Sequence, residues 1–354
     1  MVKAVLIKGD GTGPELANAL KIVFEAISPP LELIECEAGS EWWMKHGGNS
    51  MIPPETWQAI RSSDACFKAP TTTPPDPTAP RSVAVSIRQE MDLYANVRPI
   101  KTFKGAESPL SQIFGPFDFV CVREATEGLY AGIEYRLTDD VSIAIRKITA
   151  KSSERIARWA FKLAAERGWS KVIVVTKRNI LRVTDGVFWN AVEKVAKEFP
   201  GIQYEEYYID NMSQQLIKNP NRFNQNVILS TNLFMDVLSE AAAGLVGNIG
   251  MVYAANIGDR YAMFEPAHGS VPKYKGMDRV NPTATILAGA WMLRYLKLPK
   301  YGEAVERATE EVIAEAPPPE VIVEAPPAPV ARRPWLILVL LIAGYIILRR
   351  TRRR

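Results

Sequence analysis

Between Ser82 and Pro99 the sequence reads SVAVSIRQEMDLYANVRP, which sets Arg88 and Arg98 ten residues apart, just downstream of a serine hydroxyl. A guanidinium is planar, permanently charged and able to offer two parallel N–H donors. Two of them near a hydroxyl make a pocket for a small, multiply charged anion. The same residues would also serve as an ordinary solvated helix end, where surface charges contribute little. Further on, Asp236 and Glu240 stand four residues apart and share a face if their segment is helical. Only His46 and His268 are present, and Cys36, Cys66 and Cys121 lack metal-ligand spacing. Any metal must therefore be held by oxygen, which favours Mg2+ or Mn2+.

The elements that position these groups show in the hydrophobic pattern. Ala4–Ile7, Phe119–Val122 and Val172–Val175 read as strands, and Ser153–Arg167 as an amphipathic helix capped by Ser152 or Ser153. Strand-like and helical stretches alternate along most of the chain, which predicts an α/β fold. The turn Gly9-x-Gly11-x-Gly13 has the wrong spacing for a dinucleotide fingerprint and reads as a tight strand-to-helix turn, with Pro14 in the first turn of the helix. The Pro-rich segment 70–80 is a loop leading straight into the arginine stretch, placed to act as an active-site flap.

The net charge is +4, but the seven arginines from Arg332 onward supply +7 and leave −3 for the rest, so no basic field points to nucleic acid. An odd number of widely spaced cysteines and the lack of a signal-peptide pattern predict a cytoplasmic enzyme body with reduced thiols. Residues 309–334 form a Pro-rich linker ahead of WLILVLLIAGYIIL at 335–348 and the basic tail 349–354. As a helix the apolar run would be about 21 Å long, short of a hydrocarbon core of about 30 Å. Apolar all round and flanked by arginines, it is expected to anchor the body to a membrane. A helix docked on the body or lying in the membrane interface is the alternative.

IRQEMDLYANVRP resembles the substrate-arm signature of the decarboxylating β-hydroxyacid dehydrogenases, the isocitrate, homoisocitrate and 3-isopropylmalate dehydrogenases. GDGTGPE at 9–15, VREATEGLYAGIEY at 122–135, TKRNILRVTDG at 176–186, DNMSQQLIKNP at 210–220, STNLFMDVLSE at 230–240 and ANIGDRYAMFEPAHGS at 255–270 match in the same order. The resemblance covers residues 1–308. It implies a two-domain, non-Rossmann isopropylmalate-dehydrogenase-like fold with a large domain of 1–93 plus 248–308 and a small dimerisation domain of 94–247. The active site would lie in the cleft between them, in a homodimer with shared active sites.

Residue by residue, the resemblance implies that Ser82, Arg88, Arg98 and Arg123 bind a small tricarboxylate substrate. Tyr130 and Lys177 form the proton-transfer pair. Asp236 and Glu240, with Asp210 from a second subunit, hold Mg2+ or Mn2+. Thr72, Thr73, Asn179, His268, Gly269, Lys273, Tyr274 and Asn281 contact the cofactor. Lys273 and Tyr274 stand where NAD-using members place an acid, and a cation there suits the 2′-phosphate of NADP. The implied reaction is NADP-dependent oxidative decarboxylation of isocitrate, with homoisocitrate or 3-isopropylmalate as alternatives. Ala84, Met235 and Glu240 depart from the usual Asn, Gly and Asp, and the chain leaves the family pattern after Tyr295, so the large domain is expected to lack an element. These departures keep open a non-catalytic, membrane-tethered scaffold.

Overall fold

Apolar β-branched runs pair across long sequence separations into one sheet, because the central runs are buried on both faces and need cover on both. In the computed structural model, which describes residues 2–247, 249–315, 339 and 341–345, the strands are β1 (Val2–Ile7), β2 (Leu31–Cys36), β3 (Ala65–Lys68), β4 (Ala95–Lys101), β5 (Asp118–Glu124), β6 (Glu134–Arg136), β7 (Ser142–Ala144), β8 (Lys171–Thr176), β9 (Gln203–Tyr208), β10 (Asn226–Ser230), β11 (Tyr253–Ile257) and β12 (Ala262–Pro266). The helices are α1 (Gly13–Ile27), α2 (Ser40–His46), α3 (Pro54–Arg61), α4 (Val83–Glu90), α5 (Pro109–Phe114), α6 (Ala150–Glu166), α7 (Thr184–Ala196), α8 (Ile209–Lys218), α9 (Asn232–Ala243), α10 (Thr283–Tyr295) and α11 (Pro299–Glu315).

Ten strands form one mixed sheet in the order β2-β1-β3-β12-β11-β4-β5-β10-β8-β9, and β6 pairs with β7 in a separate hairpin. Alternation along each strand divides the interior into four cores. Leu6 and Phe67 point into a core with α1 and α10, and Ile7 and Cys66 into one on the opposite face. Val120 and Val174 pack under α6 and α7, while Phe119 and Ile173 pack under α8 and α9.

Two expectations are revised. The helix expected at Ser153–Arg167 spans Ala150–Glu166, and Thr149 rather than a serine caps it, its hydroxyl accepting the Ser152 N–H at 3.2 Å. Glu127 explains the earlier start: it accepts both the N–H and the hydroxyl of Thr149, at 2.8 and 2.7 Å. Most of the segment expected to be a membrane anchor lies outside the described residues. Among the described residues no helix is long and apolar enough to cross a membrane. Val339 and Ile342 are instead buried in the same core as α1 and α10, the docked arrangement, and Ala343 is also buried. Where a shortened large domain was expected, this part of the tail adds apolar cover.

Candidate active site

Strand register builds a polar row on one face of the sheet. Asn256 on β11 is opposite Asn96 on β4, which is opposite Arg123 on β5. Arg98 lies two residues beyond Asn96, and Glu265 two beyond Met263, the β12 partner of Asn256, so both project to that same face. Helix α4, capped by Ser82 Oγ accepting the Val85 N–H at 3.2 Å, lowers Arg88 onto the row. Arg88 Nε donates to Asn256 Oδ1 at 2.7 Å and Nη2 to Glu265 Oε1 at 3.0 Å. Asn96 Nδ2 donates to the same Asn256 oxygen at 2.8 Å, and Arg98 Nε to Asn96 Oδ1 at 3.2 Å.

Helix α9 meets this row from above the sheet. Its first residue, Asn232, accepts Arg123 Nε at 2.9 Å and Nη2 at 2.7 Å through one oxygen. One turn on, Asp236 accepts Arg123 Nη1 with Oδ1 and the Tyr130 hydroxyl with Oδ2 at 2.5 Å. Another turn on, Glu240 accepts Arg98 Nη1 at 2.8 Å. The expected i, i+4 face is present, and the longer Glu240 side chain reaches an arginine. Met235, where a glycine is usual, is fully buried in the core beneath α9. The Arg123 guanidinium also lies 4.8 Å over the Tyr130 ring.

The charges shape one another. Burial, then the neighbouring Arg88, pulls Arg123 down to about 10, with Asp236 opposing; it stays cationic at neutral pH. Burial alone would raise the Asp236 carboxyl, but Arg123 and the Tyr130 hydrogen bond hold it below the usual carboxylate range. Burial, then the Asp236 hydrogen bond, pushes the Tyr130 phenol up, so it is protonated and able to donate at neutral pH. Glu265 is fully buried, yet Lys68 at 2.9 Å and Arg88 hold it well below the usual range.

The single chain does not bring every expected residue together. Lys177, at the carboxyl end of β8, forms an ion pair with Asp210 at 2.7 Å. Neither side chain takes part in the arginine contacts described above. Among the described residues no three His, Cys, Asp or Glu side chains converge as a metal set. Asp236 and Glu240 are hard oxygen donors that suit Mg2+ or Mn2+, so one chain offers two of the three expected ligands.

The cofactor candidates gather around the Gly-rich turn. Gly9 and Gly11 have positive φ, and a Cβ would sit 2.1 Å from the Pro70 carbonyl oxygen and 2.4 Å from that of Ser270. The turn thereby joins the 70–80 loop to the loop after β12. Thr72 Oγ1 and Ser270 Oγ are 2.6 Å apart, and buried Asp10 accepts the Thr72 N–H at 2.7 Å. Thr73, Asn179 and Gly269 are exposed. His268 Nδ1 lies 2.9 Å from its neighbour's carbonyl oxygen, which assigns the proton there and leaves Nε2 a buried acceptor with no partner. Burial keeps this imidazole below its ordinary value. Lys273 and Arg279 both lie over the Tyr274 ring, at 4.9 and 5.2 Å, and Asn281 Oδ1, just ahead of α10, accepts the Thr283 N–H at 2.9 Å. A buried acceptor without a partner in this loop fits a dinucleotide that offers it a donor.

Sequence reasoning missed Lys68, Asn96, Asn256, Glu265 and Asn232. All but Lys68 lie inside the matched blocks. A buried network of this kind has no spacing signature, because its members come from separate strands.

The sequence profile of isocitrate/isopropylmalate dehydrogenases matches residues 3–324. The chain is 43% identical over 319 residues to the 3-isopropylmalate/3-methylmalate dehydrogenase of Methanocaldococcus jannaschii, covering 89% of this chain and 92% of that protein. It is 40% identical over 303 residues to the NADP isocitrate dehydrogenase of Thermus thermophilus, covering 86% of this chain and 60% of that one. The crystal structure of isocitrate dehydrogenase from Methylococcus capsulatus superposes with a TM-score of 0.88 at 38% identity, covering 98% of this chain and 100% of the other.

Proposed function

We propose, from the premise that this chain belongs to the isocitrate/isopropylmalate dehydrogenase family, decarboxylating dehydrogenases that use a nicotinamide cofactor and a divalent metal, that it converts isocitrate and NADP+ to 2-oxoglutarate, CO2 and NADPH. The observation that carries this reading is the convergence of Arg88, Arg98 and Arg123 with Asp236, Glu240 and Tyr130 on one face of the sheet. Three guanidiniums suit a tricarboxylate, and their present anionic partners, Asp236 and Glu240, stand where substrate carboxylates and a metal would share the charge.

In this mechanism Arg88, Arg98 and Arg123, with Ser82, grip the substrate carboxylates. Asp236 and Glu240 hold the metal with Asp210 of the partner subunit, and the partner subunit's Lys177 completes the site. When bound, the nicotinamide accepts the hydride and the divalent ion polarises the reacting oxygen. Lys177 Nζ takes the hydroxyl proton as the hydride leaves carbon. After CO2 departs, the Tyr130 hydroxyl, kept protonated by its surroundings, donates to the carbon left behind. Two lobes, 1–93 with 248–308 and 94–247, frame the cleft. The homodimer is supported by the exposed apolar residues of the β6–β7 arm, Tyr135, Leu137, Val141, Ile143 and Ile145, which need cover. NADP over NAD is supported by Lys273 and by the absence of an acid at that point. Three free cysteines, two of them buried, support a reducing, cytoplasmic setting.

A second reading is favoured by Ala84, which leaves the first turn of α4 without a hydrogen-bonding side chain beside Ser82 and so suits homoisocitrate or 3-isopropylmalate. The test follows absorbance at 340 nm with isocitrate, homoisocitrate and 3-isopropylmalate, each with NADP+ or NAD+ and Mg2+ or Mn2+. Turnover with isocitrate and NADP+ at least about tenfold better in kcat/KM than any other pair supports the reading. Preference for another acid moves the assignment to the second reading, and no turnover with any acid points to a scaffold.

A further inference from the structure

Lys177 has an exposed side-chain partner in Asp210, and its backbone is held from behind. Asp185, at the start of α7, has no solvent exposure. Its Oδ2 accepts the Lys177 backbone N–H at 2.6 Å, and its Oδ1 accepts Arg146 Nη1 at 2.5 Å. Arg146 Nη1 also donates to Thr184 Oγ1 at 2.9 Å and Nη2 to Thr231 Oγ1 at 2.8 Å, while the guanidinium lies 5.1 Å over the Phe234 ring. Thr231 immediately precedes α9 and Phe234 lies in its first turn. One fork thus braces the loop of Lys177 against the head of the helix that presents Asn232, Asp236 and Glu240. Arg146 itself follows β7, the second strand of the exposed apolar arm.

We propose that Arg146 and Asp185 are positioning residues that set Lys177 for proton transfer in the partner subunit's site and tie its loop to the head of α9, which serves this subunit's own site. The proposal rests on the reading of Lys177 as the proton acceptor. The chemistry of the pair is specific. An asparagine at 185 presents an NH2 either to Arg146 or to the Lys177 N–H, so a donor meets a donor whichever way the amide turns. A lysine at 146 keeps the charge but cannot reproduce a fork that reaches Asp185 and Thr231 from two nitrogens.

The test uses full-length wild type, Asp185→Asn, Arg146→Lys and Lys177→Met in two assays: oxidation of isocitrate, and decarboxylation of the β-keto acid that hydride transfer produces, supplied directly. Thermal melts accompany both. For Asp185→Asn the expected result is a fall in oxidation kcat of about 10–100-fold with KM within about twofold, a larger C2-deuterium effect on kcat, and unchanged decarboxylation. Arg146→Lys should fall between it and wild type, and remains informative if Asp185→Asn does not fold. An equal loss in both assays, or a kcat like that of wild type, overturns the proposal while wild type itself stays active. A wild type silent with isocitrate, homoisocitrate and 3-isopropylmalate alike refutes the catalytic reading instead, and this proposal with it; a wild type that turns over another of these acids is tested with that acid.

Discussion

Replacing Asp236 with Asn removes the negative charge that Arg123 faces and that lies 3.6 Å from Arg98. Both arginines are almost wholly buried. Removing one partner of a buried ion pair costs about 3–5 kcal/mol. The Asp236 side chain is 27% exposed, so water relieves part of the penalty and roughly 2–3 kcal/mol is expected at pH 7. The sign against pH follows from the depressed carboxyl. The folded state binds fewer protons than the unfolded chain in the interval below the ordinary value of 3.8, so stability is complete above that value and is lost as pH falls through the lower, folded-state value. Urea unfolding should therefore separate the variant from wild type at pH 7 and bring the two together as pH falls through the depressed folded-state value. A non-reacting tricarboxylate supplies a further arm. With EDTA present, citrate has to compete with Asp236 for the arginines in wild type but not in the variant, so it should raise the unfolding midpoint of the variant more. A pH 7 loss under about 0.5 kcal/mol, or a loss that persists unchanged in acid, would refute the view that Asp236 is the resident counter-charge of the cluster.

Tyr130→Phe removes the proposed proton donor while leaving the ring under Arg123. Its kcat should fall about 10²–10³-fold with little change in KM, read by steady-state kinetics. Lys273→Glu should lower kcat/KM for NADP about tenfold or more while sparing NAD, and equal rates with both cofactors in wild type would show that the loop has another role. Gly11→Ala must place a methyl 2.4 Å from the Ser270 carbonyl oxygen at a φ of +57°, and should cost at least about 2 kcal/mol in a thermal or urea melt. Ile342→Asp puts a carboxylate at a site with no solvent exposure and should cost about 3 kcal/mol or more. Leu341→Asp, at a position 54% exposed, should change stability by less than about 0.5 kcal/mol; identical melts for the two would mean the tail does not dock on the body.

Local physics was legible in the amino-acid sequence. Apolar periodicity announced β1, β5 and β8, Gly and Pro announced the turn before α1 and the 70–80 loop, and a spacing of four put Asp236 and Glu240 on one face of a helix. The chemical types of Arg88 and Arg98 announced an anion site, while Arg123 and the proton donor Tyr130 were implied by the family resemblance. Periodicity misplaced the start of α6, because the group that fixes Thr149 as its cap, Glu127, comes from a distant turn. It also favoured a membrane for the apolar run at 335–348, because hydropathy records only a demand for cover and says nothing of what supplies it. For Val339 and Ile342 what supplies it is the core they share with α1 and α10. Register was decided only by the tertiary structure. Asn256, Asn96 and Arg123 line up because β11, β4 and β5 are hydrogen-bonded neighbours, although more than a hundred residues separate the first from the last. Whether an arginine meets a carboxylate, an amide or water depends on contacts between strands far apart in the chain, and no short-range pattern encodes them.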